Sequence, residues 1–257
     1  MKRLTLTDTG STNTWLKENA ASLESPLCVV AESQTAGRGQ RGNTWESEPG
    51  KNLTLSMLFR PCMFHPADQF AISEAFALAV SDTLMKACGV ETKVKWPNDI
   101  YWRDSKICGI LIEHAVSASH IIHTIAGAGI NINQTKFVSD APNPVSVAMI
   151  TGREHDFEKI LRILEDEAEL RISSVLDEPG RDAVHREFMS RMWRADGKPH
   201  LFRDVAVDTV YEGIIRDVEK SGHLIVEAVR VPEGNASEVL GNGKMRKYAF
   251  KEVEFIL

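Results

Sequence analysis

Short runs in which apolar and polar residues alternate, or in which apolar residues follow one another, recur through the first half of the chain. Runs of this length and composition predict β-strands at residues 3–7, 27–32, 52–59, 107–113 and 120–127. Apolar side chains three and four positions apart predict a long helix over residues 66–88, with Gly89 as its C-terminal stop. The sequence Ser11-Thr12-Asn13 suits the cap of a shorter helix over residues 14–23.

The pattern changes twice in the second half. Helical spacing predicts a short piece after Pro144 and longer helices over residues 157–176 and 181–193. Beyond residues 195–199, short alternating segments predict strands at residues 209–217, 223–230 and 247–256, with a polar loop at residues 232–243. We therefore expect an α+β fold, with a mixed β-sheet packed against helices over residues 1–197 and a small β domain over residues 198–257.

Composition narrows the classes of function. The net charge of -6 argues against a general nucleic-acid binder, which needs a basic face. The N-terminus lacks the apolar core of a signal peptide, and no apolar run has membrane-spanning length, so we expect a cytoplasmic protein without a membrane partner. The cysteines Cys28, Cys62, Cys88 and Cys108 form no CxxC pair, which predicts reduced thiols and no metal site.

The loop Gly37-Arg38-Gly39-Gln40-Arg41-Gly42 satisfies the pattern GxGxxG, which is typical of dinucleotide-binding Rossmann folds. Such a fold requires a helix directly after the loop and an acidic residue about 20 positions further on. Here a strand over residues 52–59 follows, and no Asp or Glu occurs between Lys51 and Pro61. We interpret this loop as an anion-binding connection between two strands.

Three other clusters have a structural explanation beside a functional one. Ser11-Thr12-Asn13 alone could be a helix cap, Trp96-Pro97-Asn98-Asp99 an aromatic plug with a turn, and Gly127-Ala128-Gly129 a site of close strand packing. Lys106 is harder to explain structurally, because it begins an apolar run where an unpaired ammonium is costly. Either a bound anion or a carboxylate partner would relieve that cost.

Together these groups suit the activation of a carboxylate by a nucleotide. That reaction brings two anions together, so it needs fixed positive charge and open backbone amides around the phosphates. Arg38, Arg41 and Lys106 supply the charge, and the glycines of the loop permit close approach of the backbone. The chain has no GxSxG elbow, SxxK pair or P-loop, which disfavours the corresponding hydrolase and NTPase chemistries.

In their order along the chain, the motifs resemble those of biotin protein ligases, most strongly over residues 1–135. The motifs that carry the resemblance are Ser11-Thr12-Asn13, residues 32–42 with Trp45, residues 52–56, Lys95-Trp96-Pro97-Asn98-Asp99, residues 106–111 and residues 127–131. The resemblance implies a class II synthetase-like catalytic domain followed by a small SH3-like β-barrel. It also implies that biotin and MgATP form biotinyl-5′-AMP, whose biotinyl group passes to a lysine of a biotin carboxyl carrier domain.

The resemblance also implies roles for residues. Those expected to bind biotin are Ser11, Thr12, Asn13, Gln34, Gly37, Arg38, Gly39, Gln40, Lys106 and Gly109. Those expected on the ATP side are Arg38, Arg41, Trp45, Asn98, Lys106 and Asn131. Lys106, Arg38 and Asp99 are the expected catalytic residues, with Asp99 either positioning the metal of MgATP or assisting the incoming lysine.

Two features depart from the family pattern. Many relatives carry a basic residue where this chain has the neutral Gln40, so the usual salt bridge cannot form there. Some members have an N-terminal DNA-binding domain, whereas the first motif here begins at Ser11, so we expect an enzyme without a DNA partner. A homodimer paired through sheet edges is possible for this fold.

Two other functions stay open. A lipoate or octanoate ligase or transferase would share the architecture, although the glycine- and arginine-rich loop and Lys95-Trp96-Pro97-Asn98-Asp99 favour biotin. A non-catalytic nucleotide- or RNA-binding protein would use the same loop and the β domain. The net negative charge disfavours this last alternative, as does the fact that the loop carries two arginines and no larger basic cluster.

Overall fold

A computed structural model describes residues 1–61, 63–138, 143–231 and 241–256, except for the side chain of Arg41. The helices are α1 (Thr12–Asn19), α2 (Phe70–Cys88), α3 (Val147–Thr151), α4 (Phe157–Ser174) and α5 (Glu178–Arg191). The strands are β1 (Lys2–Thr9), β2 (Leu27–Gln34), β3 (Leu53–Phe59), β4 (Lys93–Lys95), β5 (Asp99–Trp102), β6 (Ser105–Val116), β7 (Ile121–Ile130), β8 (His200–Asp204), β9 (Thr209–Val218), β10 (Leu224–Arg230), β11 (Met245–Tyr248) and β12 (Val253–Phe255).

The larger sheet in the described residues has seven strands in the order β1-β2-β3-β7-β6-β5-β4. β1 and β2 run parallel, and each of the other neighbours pairs antiparallel. The sheet is therefore mixed, and helices pack on it, as the sequence predicts. Its central strands β3, β6 and β7 also contribute eight of the residues that line the site described below.

Helices cover both faces of this sheet. On one face, α1 packs through the fully buried Leu16 against Val29, Leu58 and Ile125. On the other face, α2 packs against α4, and most of its side chains are buried. α2 ends where Gly89 adopts a left-handed conformation with φ 72, which confirms the predicted stop.

The structure differs from the predicted elements at several points. Residues 93–102 form the hairpin of β4 and β5. The sequence did not predict these two strands, because strands of three and four residues are too short to give a periodic signal. β8 was also not expected. The single strand predicted over residues 247–256 is two strands, β11 and β12, separated by a turn in which Lys251 has φ 74. The first helix ends earlier than predicted, at Asn19.

The second sheet in the described part of the chain is antiparallel, with the order β11-β10-β9-β8-β12. The outer strands of this sheet, β11 and β12, are not paired with each other in the described residues. Closure of the sheet into an SH3-like barrel therefore stays a prediction. The division into domains at residues 197 and 198 also stays a prediction. The two sheets share one continuous core, and Trp96 Nε1 donates to the carbonyl of Gly222 at 2.9 Å.

Two further expectations concern cysteines and membranes. Cys28, Cys88 and Cys108 are buried free thiols, while Cys62 lies outside the described residues. Most of the loop predicted at residues 232–243 is likewise outside them. Across the described ranges, every helix is too short or too polar to span a membrane.

Candidate active site

One cavity of about 1260 Å³ extends from the start of α1 across the larger sheet to β12. The sequence-predicted residues that line it are Ser11, Thr12, Asn13, Gln34, Arg38, Gly39, Gln40, Trp45, Asn98, Asp99, Lys106, Gly109 and Asn131. Gly37 is not among the lining residues, and the side chain of Arg41 lies outside the described residues. The cavity exceeds the roughly 300–1,000 Å³ of an ordinary small-molecule site, so it has room for two substrates.

The polar end of the cavity is the turn from β1 into α1. Ser11 precedes the helix, but its side chain makes no capping hydrogen bond, so a helix cap alone does not explain this motif. Thr12 instead turns toward β2, where Gln34 Oε1 accepts from the Thr12 backbone amide at 2.8 Å and from Thr12 Oγ1 at 3.2 Å. Ser11 and Thr12 are both buried and line the cavity.

Asn13 connects this end to the middle of the sheet. Its Nδ2 donates to the carbonyl of Leu111 at 3.2 Å and to Glu113 Oε2 at 3.0 Å, and its Oδ1 accepts from Ser56 Oγ at 2.5 Å. A Cβ at Gly127 would lie 2.1 Å from Asn13 Oδ1, so only glycine leaves room for the amide. This buried network fixes the amide orientation of Asn13 in advance of any ligand.

The glycine- and arginine-rich loop is folded back on itself. Gly39 N donates to Asn43 O at 2.7 Å, and Trp45 N donates to Gly37 O at 3.0 Å. Gly37 has a structural role in this fold, because a Cβ there would lie 2.6 Å from the carbonyl oxygen of Trp45. The loop thus forms a short antiparallel turn whose tip carries Gln40.

Arg38 leaves this loop toward β6. Its Nη2 lies 3.2 Å from Glu113 Oε1, and its Nη1 lies 3.3 Å from Thr14 Oγ1. The Arg38 side chain keeps 43% of its surface exposed. Glu113 therefore contacts both Arg38 and Asn13 and joins the loop to the polar end of the cavity.

Trp45 lies flat against two glycines of the sheet. Gly109 on β6 and Gly129 on β7 are paired across the strands. A Cβ would lie 2.9 Å from the indole at Gly109 and 2.3 Å from it at Gly129. Trp45 Nε1 is buried and has no hydrogen-bond partner in the described part of the protein. Because a buried N–H without a partner is costly, this group is available to a ligand acceptor.

Lys106 and Asp99 form an ion pair at the start of β6. Lys106 Nζ lies 2.7 Å from Asp99 Oδ1, and the two side chains are 26% and 22% exposed. The sequence left open whether an anion or a carboxylate stabilises this lysine, and the structure provides the carboxylate. Lys106 Nζ also lies 5.7 Å from the centre of the Trp45 ring, so it faces the cavity beside the indole.

Asn98 and Asn131 hold the chain around this ion pair. Asn98 Nδ2 donates to the carbonyl of Ile110, so its amide nitrogen is already occupied within the protein. Asn131 Nδ2 donates to Val145 O at 3.1 Å. Asn131 Oδ1 is buried and has no partner in the ranges that the structure describes, which leaves one acceptor of a cavity-lining residue free for a ligand donor.

Sequence reasoning assigned no role to Ser56, Glu113 and Lys95, which bond to residues of the site or line it. Ser56 is one of several polar residues of an alternating strand and so gave no separate signal, whereas Glu113 directly follows the apolar residues 110–112, where a charged residue was the available signal. Lys95 belongs to the motif Lys95-Trp96-Pro97-Asn98-Asp99, but no role was predicted for its side chain. It lines the cavity, and burial lowers its pKa while the nearby carboxylate of Asp99 opposes that shift.

The donors around the cavity do not form a resident metal centre. Within the described residues, no three His, Cys, Asp or Glu side chains lie close enough to hold a metal ion together. Asp99 and Glu113, both near the cavity, engage Lys106 and Arg38. Mg²⁺ enters the proposal below as the ion that accompanies ATP.

Comparison with known proteins identifies the family. The model of the Biotin/lipoate A/B protein ligase family matches residues 4–131. A biotin–(acetyl-CoA-carboxylase) ligase of Paracoccus denitrificans is 32% identical over 248 residues, which cover 93% of this chain and 100% of that protein. A ligase of the same name from Mycobacterium tuberculosis is 30% identical and covers 85% of this chain and 80% of that protein.

In other relatives the matched region is less than half of the protein. The bifunctional ligase/repressor BirA of Escherichia coli is 38% identical over 122 residues, and the chain spans 38% of its length. Among solved structures, the biotin protein ligase from Aquifex aeolicus in complex with biotin and ATP superposes with a TM-score of 0.76 and 21% identity, covering 98% of this chain and 97% of that one. The fold thus matches that of biotin protein ligases. The chain belongs to the Biotin/lipoate A/B protein ligase family, and its full-length similarity is to biotin protein ligases.

Proposed function

We propose that this protein activates biotin with MgATP as biotinyl-5′-AMP and transfers the biotinyl group to a lysine of a biotin carboxyl carrier domain. The observation that carries the proposal is that one cavity joins the buried polar network at Asn13 to the ion pair of Lys106 and Asp99. Similarity over 93% of the chain to a biotin–(acetyl-CoA-carboxylase) ligase supports the same reaction.

The polar end of the cavity suits the ureido ring of biotin. That ring presents two N–H donors and one carbonyl acceptor, so it needs both acceptors and donors in a fixed arrangement. Thr12, Asn13, Gln34 and Ser56 provide hydroxyl and amide groups that already hold one another in place. A site built to satisfy these hydrogen bonds rejects an acid that lacks them, which favours biotin over lipoate or octanoate.

Lys106 is suited to hold the biotin carboxylate and then the phosphate of the adenylate. A bound anion would replace Asp99 as the partner of the ammonium, so positive charge stays in contact with negative charge throughout. In the first step a carboxylate oxygen bonds to the α-phosphorus, and pyrophosphate leaves. We assign Arg38 to the same charge and propose that it leaves Glu113 for the ligand.

Asp99 gains a role once Lys106 binds the substrate. Its carboxylate is then free to position the metal of MgATP or to accept a proton from the incoming lysine amine. In the second step that amine attacks the biotinyl carbonyl, the bond to the phosphate oxygen breaks, and AMP leaves. The carrier domain as acceptor, a cytoplasmic location and pairing into a homodimer are the corresponding predictions for the whole protein.

The nucleotide side is the part of the cavity around Trp45 and Asn131. Trp45 offers an indole face and an unpaired N–H, and Asn131 offers an unpaired acceptor. Gly109 and Gly129 place the indole close to the sheet. These groups would contact ATP, together with Asn98 and Arg41, in keeping with the expectation from the resemblance.

The deciding experiment is pyrophosphate exchange with biotin, lipoate and octanoate as the acid. We expect exchange with biotin alone, followed by a streptavidin-reactive carrier domain when the two proteins are co-expressed. Exchange with lipoate and not with biotin would replace this function with lipoate ligation. Absence of an acyl-adenylate with any acid would instead favour a non-catalytic nucleotide-binding protein.

A further inference from the structure

Lys95 ends β4 with its ammonium among aromatic rings. Its Nζ lies 4.7 Å from the centre of the Tyr101 ring, 5.6 Å from that of Trp193 and 5.5 Å from that of Phe255. It also donates to the Tyr101 hydroxyl at 3.1 Å. Phe255 belongs to the C-terminal sheet, so groups from both sheets fix the position of this cation.

The charge of Lys95 is incompletely balanced. In the part of the chain that the structure describes, the contacts of its ammonium are the three rings and one hydroxyl, and none is a carboxylate. Two other cations of the cavity are paired, since Lys106 contacts Asp99 and Arg38 contacts Glu113. Lys95 therefore brings net positive charge to the cavity at a fixed place.

We propose that Lys95 binds the β- and γ-phosphates of ATP and the pyrophosphate that they become. This inference rests on the proposed function. When the biotin carboxylate oxygen bonds to the α-phosphorus, the bond from that phosphorus to the oxygen bridging to the β-phosphate breaks. Pyrophosphate leaves with the electron pair, so negative charge on it grows during the step and a fixed ammonium stabilises it.

The position of Lys95 fits this role. Lys95 and Asp99 are paired residues of the β4–β5 hairpin, and Asp99 contacts Lys106, so the two lysines flank one carboxylate. With Lys106 on the carboxylate and α-phosphate, the next phosphates would extend toward Lys95 and the C-terminal end of the cavity. The charged groups that act on Lys95 are Asp99, Lys106 and Arg194.

Substitutions of Lys95 test the proposal through steady-state pyrophosphate exchange. We expect Lys95→Gln to raise the KM for ATP and for pyrophosphate about tenfold, and to raise the KM for biotin much less. Lys95→Arg should restore most of the lost affinity, because it returns the charge. Lys93→Gln is the matched control, since Lys93 lies on the same strand and is exposed, and within the described residues its ammonium bonds to a backbone carbonyl alone, Ser190 O at 3.4 Å.

A second measurement separates binding from a structural role. Burial lowers the pKa of Lys95, and a bound anion would raise it again. We therefore expect added pyrophosphate to raise the pKa of the Lys95 ammonium. NMR of labelled lysine side chains in the whole protein measures this pKa. An unchanged pKa, or a Lys95→Gln protein with an unaltered KM for ATP and a lower melting temperature, would overturn the proposal.

These outcomes are distinct from failure of the proposed function. If the wild-type protein shows no biotin-dependent exchange, the ligase proposal fails, and Lys95 is not at issue. If the wild-type protein exchanges pyrophosphate and Lys95→Gln does so with the same KM for ATP, only the role of Lys95 fails.

Discussion

Lys106 Nζ and Asp99 Oδ1 are 2.7 Å apart across the hairpin of β5 and β6. Both side chains are largely shielded, so removing either partner leaves a charge with little solvent to stabilise it. The pair also keeps the ammonium of Lys106 at the cavity wall before a substrate binds. The ion pair thus joins β5 to β6, and under the proposed function it also holds a cation at the place where an anionic ligand would bind.

Removing Lys106 should abolish adenylation. We expect Lys106→Ala to lower the rate of biotinyl-5′-AMP formation at least about a hundredfold, because a preorganised charge at the reacting oxygen is lost. Asp99→Asn should slow one half-reaction about tenfold, and single-turnover assays of the two steps would show which one. Circular dichroism verifies that both variants are folded. A folded Asp99→Asn enzyme with normal rates in both steps would contradict the role given to Asp99.

Glu113 should control how tightly the loop of residues 37–45 is held. Glu113→Gln keeps an oxygen for Asn13 and removes the charge that pairs with Arg38. We expect trypsin to cut this loop several-fold faster in the variant, because the loop opens more often. Glu154→Gln is the control, since Glu154 is exposed and, among the residues that the structure describes, pairs with Lys51 alone. Equal cleavage rates in the two variants would show that the ion pair does not hold the loop.

The contact between Trp45 and Gly129 should make a substitution of that glycine by alanine destabilise the folded protein. A Cβ there would lie 2.3 Å from the indole, so Gly129→Ala must displace the ring or strain β7, at a cost of about 1–3 kcal/mol. Urea denaturation measures this cost. In a Trp45→Ala background the same substitution should cost much less, as a double-mutant cycle would show. Equal costs in both backgrounds would mean that the indole is not the obstacle.

The sequence predicts the central strands and the long helix α2, because these depend on local pattern, and its ordered motifs contain thirteen of the cavity-lining residues named as candidates. It could not predict that Lys106 pairs with Asp99. That contact requires β5 to pair with β6, and the four residues of β5 are too few to give a periodic signal.

The roles of Glu113 and Lys95 escaped prediction for a related reason. Glu113 meets Arg38 across 75 positions of the chain, and Lys95 meets Phe255 from the other sheet. Contacts between residues so far apart follow from tertiary packing and have no local sequence signature. The glycine-rich loop shows the converse, since its literal pattern matched a Rossmann fingerprint and the strand after it was the better guide.

His185 of α5 links two other elements by ion pairs. Its Nδ1 lies 2.7 Å from Glu74 Oε1 on α2, and its Nε2 lies 2.9 Å from Asp217 Oδ1 on β9 of the C-terminal sheet. The hydrogen bond to Glu74 is the main cause that raises the pKa of His185 to about 9, against a partial opposing effect of burial. The imidazolium thus persists in the folded state at pH values where the unfolded chain loses its proton.

Folding stability should therefore fall in mildly alkaline solution through His185. Because the folded pKa is the higher one, the contribution is fully present below about pH 6.5 and is lost as the pH rises through about 9. Partial exposure of the histidine reduces it to roughly 1–2 kcal/mol. We expect the difference in unfolding free energy between wild type and His185→Gln, measured in urea at pH 6.5 and pH 9.5, to shrink by that amount. A difference that is the same at both pH values would show that His185 is not protonated in the folded protein.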